Sequence, residues 1–291
     1  MGNREIYLID ASSFIYRGFF ALPPLTTKDG FPTGAIYGFL RALLSIMKSE
    51  RPEYLVVVFD HPAPTKRDSL FKEYKAGRPS MPDPLRLQIP VIKELLWLMG
   101  IPTLEVEGYE ADDLIAILAK RFSEKGFKVK IYTPDKDMLQ LVSENVVVIN
   151  PMNWEVFNPD KVKDKFGVPP QKVADYLALV GDKIDNVPGV RGVGPKTAVK
   201  LIEKFGGVPN ILERWEEFKK IYPEAKREEL ELSYQLVKPM TDAEVSLSDE
   251  DFKLREPDIN RLRKRLEELE MKSILKDVEK LFKGRVQGTL F

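Results

Sequence analysis

Three apolar runs, each closed by an aspartate, constrain this chain more than any other feature. They are Ile6-Tyr7-Leu8-Ile9-Asp10, Tyr54-Leu55-Val56-Val57-Val58-Phe59-Asp60 and Val129-Lys130-Ile131-Tyr132-Thr133-Pro134-Asp135. Short, nearly unbroken apolar runs are the pattern of strands buried on both faces. Amphipathic helical patterns separate them. Ala11-Ser12-Ser13 leads into a helix carrying Phe14, Ile15, Tyr16 and Arg17. A second helix, from about Thr33 to Lys48, places Ile36, Tyr37, Phe39, Leu40, Leu43, Leu44 and Met47 at helical spacing. Strands alternating with helices predict an α/β fold with a mainly parallel sheet and helices on both faces. In such sheets ligands sit at the carboxyl ends of the strands, where Asp10, Asp60 and Asp135 are delivered.

A fourth strand, Thr103 to Val106, is expected to precede the densest acidic stretch, Gly108-Tyr109-Glu110-Ala111-Asp112-Asp113-Leu114-Ile115-Ala116-Ile117-Leu118. Acids in a first helical turn are favoured by the helix dipole, so a cap accounts for part of this pattern. It does not account for a third acid before a helix that reads as almost fully buried. Glu110 and Asp113 share a helix face, and anions packed against apolar surface need a cation or hydrogen bonds to compensate. Asp137, two residues after Asp135, faces the same side of an extended chain.

Composition narrows the chemistry. The 291 residues include no cysteine and one histidine, His61, which excludes thiolate chemistry, structural zinc and nearly every histidine-dependent triad. Carboxylates with hard metals are what remains. The 45 basic and 45 acidic residues cancel, so only their distribution can indicate a nucleic-acid partner. No basic-then-apolar leader and no apolar run near 18 residues is present, which predicts a soluble cytoplasmic protein with no membrane partner.

Two further stretches carry a binding signal. Thr65 to Pro79 holds five basic and two acidic residues between Lys66 and Arg78, with Phe71 and Tyr74 interleaved and prolines on both sides. It is too long for a tight turn and reads as a lid or arch over the acidic edge. Basic side chains beside aromatics suit single-stranded nucleic acid, against the plainer reading of a solvated charged loop. The stretch Leu177 to Ile202 contains Gly181-Asp182-Lys183-Ile184-Asp185-Asn186 and then Gly192-Val193-Gly194-Pro195-Lys196-Thr197-Ala198-Val199-Lys200. Asp182 and Asp185 share a face if the preceding helix continues through them. Gly192 and Gly194 make a turn, Pro195 opens a helix, and its free N–H groups form an anion site that Lys196, Thr197 and Lys200 can reinforce. A P-loop is ruled out because Pro195 separates Gly194 from Lys196 and no strand precedes. From Ile211 onward the pattern is helical and charged, with Trp215, Phe218, Ile221 and Tyr222 as one face, and Arg261 to Phe282 as one or two amphipathic helices.

Together these motifs make the chain resemble the 5′-nuclease (flap endonuclease) family, in the form found at the N-terminus of bacterial DNA polymerase I. The resemblance runs over essentially residues 5 to 282. It rests on Leu8-Ile9-Asp10, Val58-Phe59-Asp60, Tyr74-Lys75-Ala76-Gly77-Arg78-Pro79, Glu110-Ala111-Asp112-Asp113, Thr133-Pro134-Asp135-Lys136-Asp137 and Gly181 to Gly189. It implies a PIN-like nuclease core over 1–175 with an arch at about 61–90. A helical DNA-binding part would follow over 176–285, with a helix–hairpin–helix at about 176–206. It further implies two-metal hydrolysis of phosphodiesters near a junction of duplex and 5′ single strand, on flapped or nicked DNA and RNA primers. The implied metal ligands are Asp10, Asp60, Glu110, Asp112, Asp113, Asp135, Asp137, Asp182 and Asp185. Asp60, Glu110 and Asp112 would lie near a first metal, and Asp135, Asp137, Asp182 and Asp185 around a second. Such oxygen-only sets suit Mg²⁺ or Mn²⁺. Arg17, Arg67, Lys75 and Arg78 resemble phosphate-steering positions, with Tyr74 beside them, and Lys75 is the choice for transition-state charge stabilisation. A K⁺ near Val187, Val190 and Val193 is a further implication. The tail 286–291 ends Gln287-Gly288-Thr289-Leu290-Phe291, resembling peptides that dock sliding clamps through Gln287, Leu290 and Phe291. With no polymerase segment following, a monomeric stand-alone nuclease or an excised domain, associated with the nucleoid, is expected. A silent DNA-junction binder or a PIN-type ribonuclease are the competing classes.

Overall fold

The structure is a computed structural model that describes residues 4–286, with side chains to residue 282. In chain order it comprises β1 (Glu5–Asp10), α1 (Ala11–Ala21), α2 (Gly34–Glu50), β2 (Tyr54–Val58), α3 (Lys66–Leu70), α4 (Asp83–Arg86), α5 (Gln88–Leu98), β3 (Thr103–Leu104), α6 (Ala111–Glu124) and β4 (Lys128–Tyr132). It continues with β5 (Val146–Asn150), β6 (Glu155–Phe157), α7 (Pro159–Phe166), α8 (Val173–Val180), α9 (Pro195–Phe205) and α10 (Val208–Glu213). The last elements are α11 (Trp215–Ile221), α12 (Arg227–Val237), α13 (Ile259–Glu268) and α14 (Lys272–Val286). Two units interleave along the chain: Met1–Asp60, Ser80–Glu105 and Glu244–Phe291 form the first, and His61–Pro79 with Val106–Ala243 the second.

In the first unit β1, β2 and β3 are parallel in the order β3-β2-β1, with Ile6 opposite Tyr54 and Asp10 opposite Val58. Every residue of β2 is buried, as an unbroken apolar strand under helices must be. Helices α1 and α2 approach closely because two glycines meet. A Cβ on Gly38 would stand 2.5 Å from the Gly18 Cα, so α1 and α2 touch backbone to backbone, a contact only glycine permits. The first N–H groups of α2 have no cap from Thr33. They are satisfied instead by Gln88, wholly buried, whose Oε1 accepts from Ala35 N at 2.8 Å and Ile36 N at 3.1 Å. The fourth strand is shorter than expected, ending at Leu104. The C-terminal pattern is broken at Leu269–Met271 into α13 and α14, which bury Leu262, Leu266, Ile274 and Phe282.

In the second unit β4 and β5 are parallel and β6 runs antiparallel to β5. Leu114, Ile115 and Leu118 of α6 are fully buried, confirming the reading of that helix. α11 buries Phe218, with the Trp215 and Tyr222 rings against it at centroid distances of 5.5 and 5.2 Å. Ile221, assigned to the same face, lies outside it and is exposed, because α11 ends at that residue. Among the described residues no helix is long and apolar enough to cross a membrane.

Candidate active site

The first unit presents a pair of carboxylates at one sheet edge. Asp10 is the last residue of β1 and the N-cap of α1, its Oδ1 accepting from Ser13 N at 3.2 Å and its Oδ2 from the Ser13 hydroxyl. Asp60 lies two residues beyond β2, exposed, and accepts from the Ser12 hydroxyl. Because β1 and β2 are parallel, both acids emerge from carboxyl ends, where such sheets bind ligands. Ser12 and Ser13, by pattern no more than a helix lead-in, orient the two carboxylates. The Ser-Ser pair directly after a strand-ending Asp was the available signal. Arg17 is exposed on α1.

In the second unit the acidic stretch divides into a structural and an open part. Glu110 is the N-cap of α6, and Asp113 closes a capping box by accepting from Glu110 N at 3.0 Å. Arg67 of α3 is buried against them. Its Nη1 donates to Glu110 Oε2 at 3.0 Å and Asp113 Oδ2 at 2.8 Å. Nη2 donates to Asp113 Oδ1 at 2.7 Å and the Lys238 carbonyl at 2.8 Å, and Nε to the Leu236 carbonyl at 3.0 Å. All five guanidinium N–H donors are therefore used. Asp113, wholly buried, also accepts from Met240 N at 2.7 Å.

These contacts correct three expectations. Asp113 is a cap and ion-pair partner whose oxygens are committed to protein donors, not a ligand facing a metal. Arg67 is an internal tie with no donor left for phosphate. Tyr74 is buried, its hydroxyl donating to Glu110 Oε2 at 3.3 Å, so its ring offers no stacking platform. The cap interpretation of this stretch holds for Glu110 and Asp113, and half-buried Asp112 stands beyond it.

Lys75 reaches the remaining oxygen of this group, donating from Nζ to Glu110 Oε1 at 2.6 Å. Burial alone would lower its proton affinity, but Glu110 and Tyr74 outweigh it, and the ammonium is held charged above its ordinary range. Arg67 behaves likewise, with Asp113 and Glu110 overcoming burial. Glu110 and Asp113 thus face Arg67 and Lys75, two anions against two cations, and Asp112 adds a further negative charge that acts on Lys75.

The other acidic group is less evenly matched. Asp135 follows β4 and caps a 3₁₀ turn (Lys136–Leu141), its Oδ1 accepting from Asp137 N at 2.8 Å. Asp182 Oδ1 accepts from Ile184 N at 2.8 Å and Asp185 N at 3.3 Å, and its Oδ2 receives Lys136 Nζ at 3.2 Å. Asp185 is held in a two-pronged pair by Arg78 at 2.7 and 2.8 Å. Asp182 and Asp185 do not share a helix face, because α8 stops at Val180 with Gly181 at φ 75°. A turn-forming Asp182 side chain brings them together instead.

Four carboxylates are set against Lys136 and Arg78, and the deficit falls on Asp137. Its Oδ1 is buried without a hydrogen-bond partner. Burial first, then the charges of Asp135, Asp182 and Asp185 against the opposing Lys136, raise its pKa to about 7. Burial also pushes Asp182 upward, yet backbone N–H donors and Lys136 bring it below the ordinary range. Among the described residues no three acidic or histidine side chains already converge as a metal-ligand group. The donor set nonetheless fits a hard divalent cation: it is all oxygen, short of positive charge, and contains a buried acceptor with no partner.

The hairpin between α8 and α9 is folded by close backbone approach. Gly189 has φ 68°, and a Cβ there would lie 2.7 Å from Gly181 N. Gly192 sits at φ 83°, Gly194 is the N-cap of α9 without a side-chain cap, and Pro195 opens the helix. Lys196 and Lys200 are exposed and Thr197 half-buried on the first turns, as an anion-binding helix start requires. The carbonyls of Val187 and Val190 already accept from Asp182 N and Val193 N, leaving each one lone pair. Gln287, Leu290 and Phe291 lie outside the described residues.

Similarity to known proteins extends over most of the chain. Residues 5–167 match the family model for the 5′-3′ exonuclease N-terminal resolvase-like domain, and 168–260 the 5′-3′ exonuclease C-terminal SAM fold. A 5′-3′ exonuclease of Aquifex aeolicus is 64% identical over 99% of this chain and 100% of its own length. DNA polymerase I of Pseudomonas aeruginosa is 44% identical over 96% of this chain, which spans 32% of that protein. Among solved structures, the D15 flap endonuclease of bacteriophage T5, in complex with DNA and metal ions, superposes with a TM-score of 0.66. It is 17% identical and covers 96% of this chain and 99% of its own. The catalytic core of Rad2 in complex with DNA substrate gives 0.63 at 19% identity, over 96% of this chain and 92% of its own. At these identities the structural likeness establishes the fold.

Proposed function

The chain belongs to the 5′-3′ exonuclease family, and from that premise we propose that it is a metal-dependent 5′ nuclease that hydrolyses phosphodiesters where duplex DNA meets a 5′ single strand. The observation that carries the chemistry is the uncompensated group around Asp137, whose buried Oδ1 lacks a partner. Keeping such a group charged at neutral pH calls for a cation the protein does not itself provide. Mg²⁺, with Mn²⁺ as substitute, is proposed there. The proposed ligands in the second unit are Glu110, Asp112, Asp135, Asp137, Asp182 and Asp185; for the first unit, Asp10 and Asp60 are proposed as ligands on the sequence resemblance. Asp113 is left out because it is wholly buried and each of its oxygens already accepts from two protein donors, whereas Glu110 Oε1 meets Lys75 alone. Bound divalent ions would supply Lewis acidity toward the phosphate and a more acidic water.

The chain's own residues do the positioning. Ser12 and Ser13 orient Asp60 and Asp10. Arg78 and Lys136 hold Asp185 and Asp182 until a metal competes for them. Lys75 stays protonated beside Glu110, so it can stabilise charge developing on a phosphate oxygen. The start of α9, with Lys196, Thr197 and Lys200, would hold the duplex backbone by charge and N–H donation. Arg17 adds a phosphate contact. Removal of RNA primers, a K⁺ at the hairpin, residence with the nucleoid, action as a monomer and recruitment to a sliding clamp through Gln287, Leu290 and Phe291 are finer parts of this proposal that rest on sequence resemblance.

The test is cleavage of a labelled double-flap DNA in Mg²⁺ and in EDTA, comparing wild type with Asp182→Ala/Asp185→Ala. Mg²⁺-dependent incision within about a nucleotide of the junction, lost in the variant, is expected. Tight junction binding without incision in either Mg²⁺ or Mn²⁺ would make this a binding module instead.

A further inference from the structure

The segment that carries Lys75 has no regular structure to hold it. After α3 ends at Leu70, residues 71–78 form successive turns closed by Tyr74 N to the Phe71 carbonyl, Ala76 N to the Glu73 carbonyl and Arg78 N to the Lys75 carbonyl, at 2.9 to 3.1 Å. Lys75 itself sits at φ 55°, the left-handed region that a long side chain occupies only when its surroundings enforce it. Such turns do not by themselves select that conformation for a lysine over its alternatives.

What enforces it comes from a distant part of the sequence. Lys75 N donates to the Asp185 carbonyl at 3.1 Å, and Asn186 Nδ2 donates to the Glu73 carbonyl at 2.7 Å. Arg78 grips the Asp185 carboxylate from beyond the turn. Asn186 is also left-handed, at φ 56°, a conformation asparagine tolerates better than most residues. That backbone swings its side-chain amide toward Glu73 while Asp185 offers its carbonyl to Lys75. The turn is in turn fixed by paired bonds between Asp182 and Val187, at 2.8 and 3.0 Å. Asn186 thus bridges the turn bearing two proposed metal ligands and the loop bearing the proposed cationic catalyst.

We propose that Asn186 is a positioning residue for Lys75: its side-chain amide fixes the Glu73 carbonyl, and so holds the left-handed backbone from which Lys75 reaches Glu110. The inference rests on the nuclease reading above. Asn186 is exposed, so its replacement is expected to leave the core in place.

Three variants separate the possible causes. Asn186→Ala removes the amide and disfavours φ > 0; Asn186→Gly removes the amide but keeps that conformation easy; Lys75→Ala removes the group acted upon. Single-turnover cleavage of the double-flap DNA in Mg²⁺ should fall about 10- to 100-fold in both Asn186 variants, the scale for a catalytic group displaced by an ångström or so. The DNA concentration for half-saturation should stay within about twofold of wild type, because Asn186 acts on orientation and not on uniform binding. In the Lys75→Ala background, Asn186→Ala should cause no further loss, since the two act as one unit. Trypsin cleavage after Lys75 in the DNA-free protein should accelerate in Asn186→Ala. Wild-type activity in Asn186→Gly would overturn the role of the amide, and full additivity with Lys75→Ala would overturn action through Lys75. Should wild type cleave no DNA, the nuclease reading fails, and the trypsin rates alone still decide whether Asn186 braces the loop.

Discussion

Arg67→Met tests whether the acidic stretch is held together by an internal ion pair or built for nucleic acid. Arg67 is buried with all five donors engaged, three on Glu110 and Asp113 and two on backbone carbonyls. Methionine fills much of the same volume but donates nothing, so the change isolates the polar loss. Removing one partner of a buried pair typically costs about 3–5 kcal/mol, because the other charge is left uncompensated. The damage should fall on Asp113, which is wholly buried and keeps only the N–H donors of Glu110 and Met240. Glu110 retains Lys75 and Tyr74. Against a usual domain stability of about 5–15 kcal/mol, a loss near 3–4 kcal/mol is severe. Urea unfolding at pH 7.5 should show a lower midpoint with an unchanged slope. Arg67→Met/Asp113→Leu should recover part of the loss, since removing both partners removes the stranded charge. A loss under about 1 kcal/mol, or weaker DNA binding in a variant of wild-type stability, would refute the assignment of Arg67 as an internal tie.

Asp137→Asn should stabilise the metal-free protein at pH 8 by about 2 kcal/mol and not at all near pH 3.5, a conservative share of the linkage from a pKa held at about 7. The sign follows because the unfolded chain releases this proton at the ordinary carboxylate pH while the folded chain keeps it. The wild type therefore loses stability as pH rises from about 4 through 7, and urea midpoints across that range check it. Added Mg²⁺ should raise the wild-type midpoint at pH 8 and leave that of Asp137→Asn much less changed. Gly38→Ala should cost about 1–3 kcal/mol by forcing α1 and α2 apart, read as a lower melting temperature; an unchanged one would mean the helices yield freely. Lys196→Ala/Lys200→Ala should reduce the salt-dependence slope of DNA binding by about 2 if both lysines contact phosphate. An unchanged slope would place the duplex elsewhere.

The sequence made the frame legible where one periodicity admits one reading. β1, β2 and β4 and the helices α1, α2 and α6 lie within a few residues of where apolar patterning puts them, because burial on both faces leaves few alternatives. It was less informative where a residue type serves two physical ends. Asp113 and Asp112 are adjacent and identical in type, yet one closes a capping box around a buried guanidinium and the other does not. What separates them is α3, more than forty residues away, and no local pattern encodes which face of α6 meets it. Spacing also misled at Asp182 and Asp185. Three apart suggests a helix face, but the left-handed Gly181 ends α8 first, and an aspartate turn produces the same proximity by another route. Gln88 as the cap of α2 had no signal at all, since a tertiary cap leaves no mark next to the helix it serves.

The charge accounting of the second unit separates two uses of carboxylates that the sequence shows as one. Glu110 and Asp113 each meet a protein cation, and proton affinities shift so as to keep the pairs charged. Asp113 in that condition is complete, whereas a metal reaching Glu110 must compete with Lys75 for Oε1. Around Asp137 the cations are fewer than the carboxylates, they sit on partly exposed side chains, and one buried oxygen has no partner. Lys136 and Arg78 are about half exposed where Arg67 is buried, so they can yield their carboxylates to a divalent ion at less cost than Arg67 can. Metal sensitivity should therefore be graded by residue. Asp137→Asn and Asp185→Asn should raise the Mg²⁺ concentration for half-maximal cleavage, and Asp113→Asn should instead lower the urea midpoint and leave that concentration unchanged. A large Mg²⁺ shift in Asp113→Asn at wild-type stability would return Asp113 to the metal-binding set and undo this division.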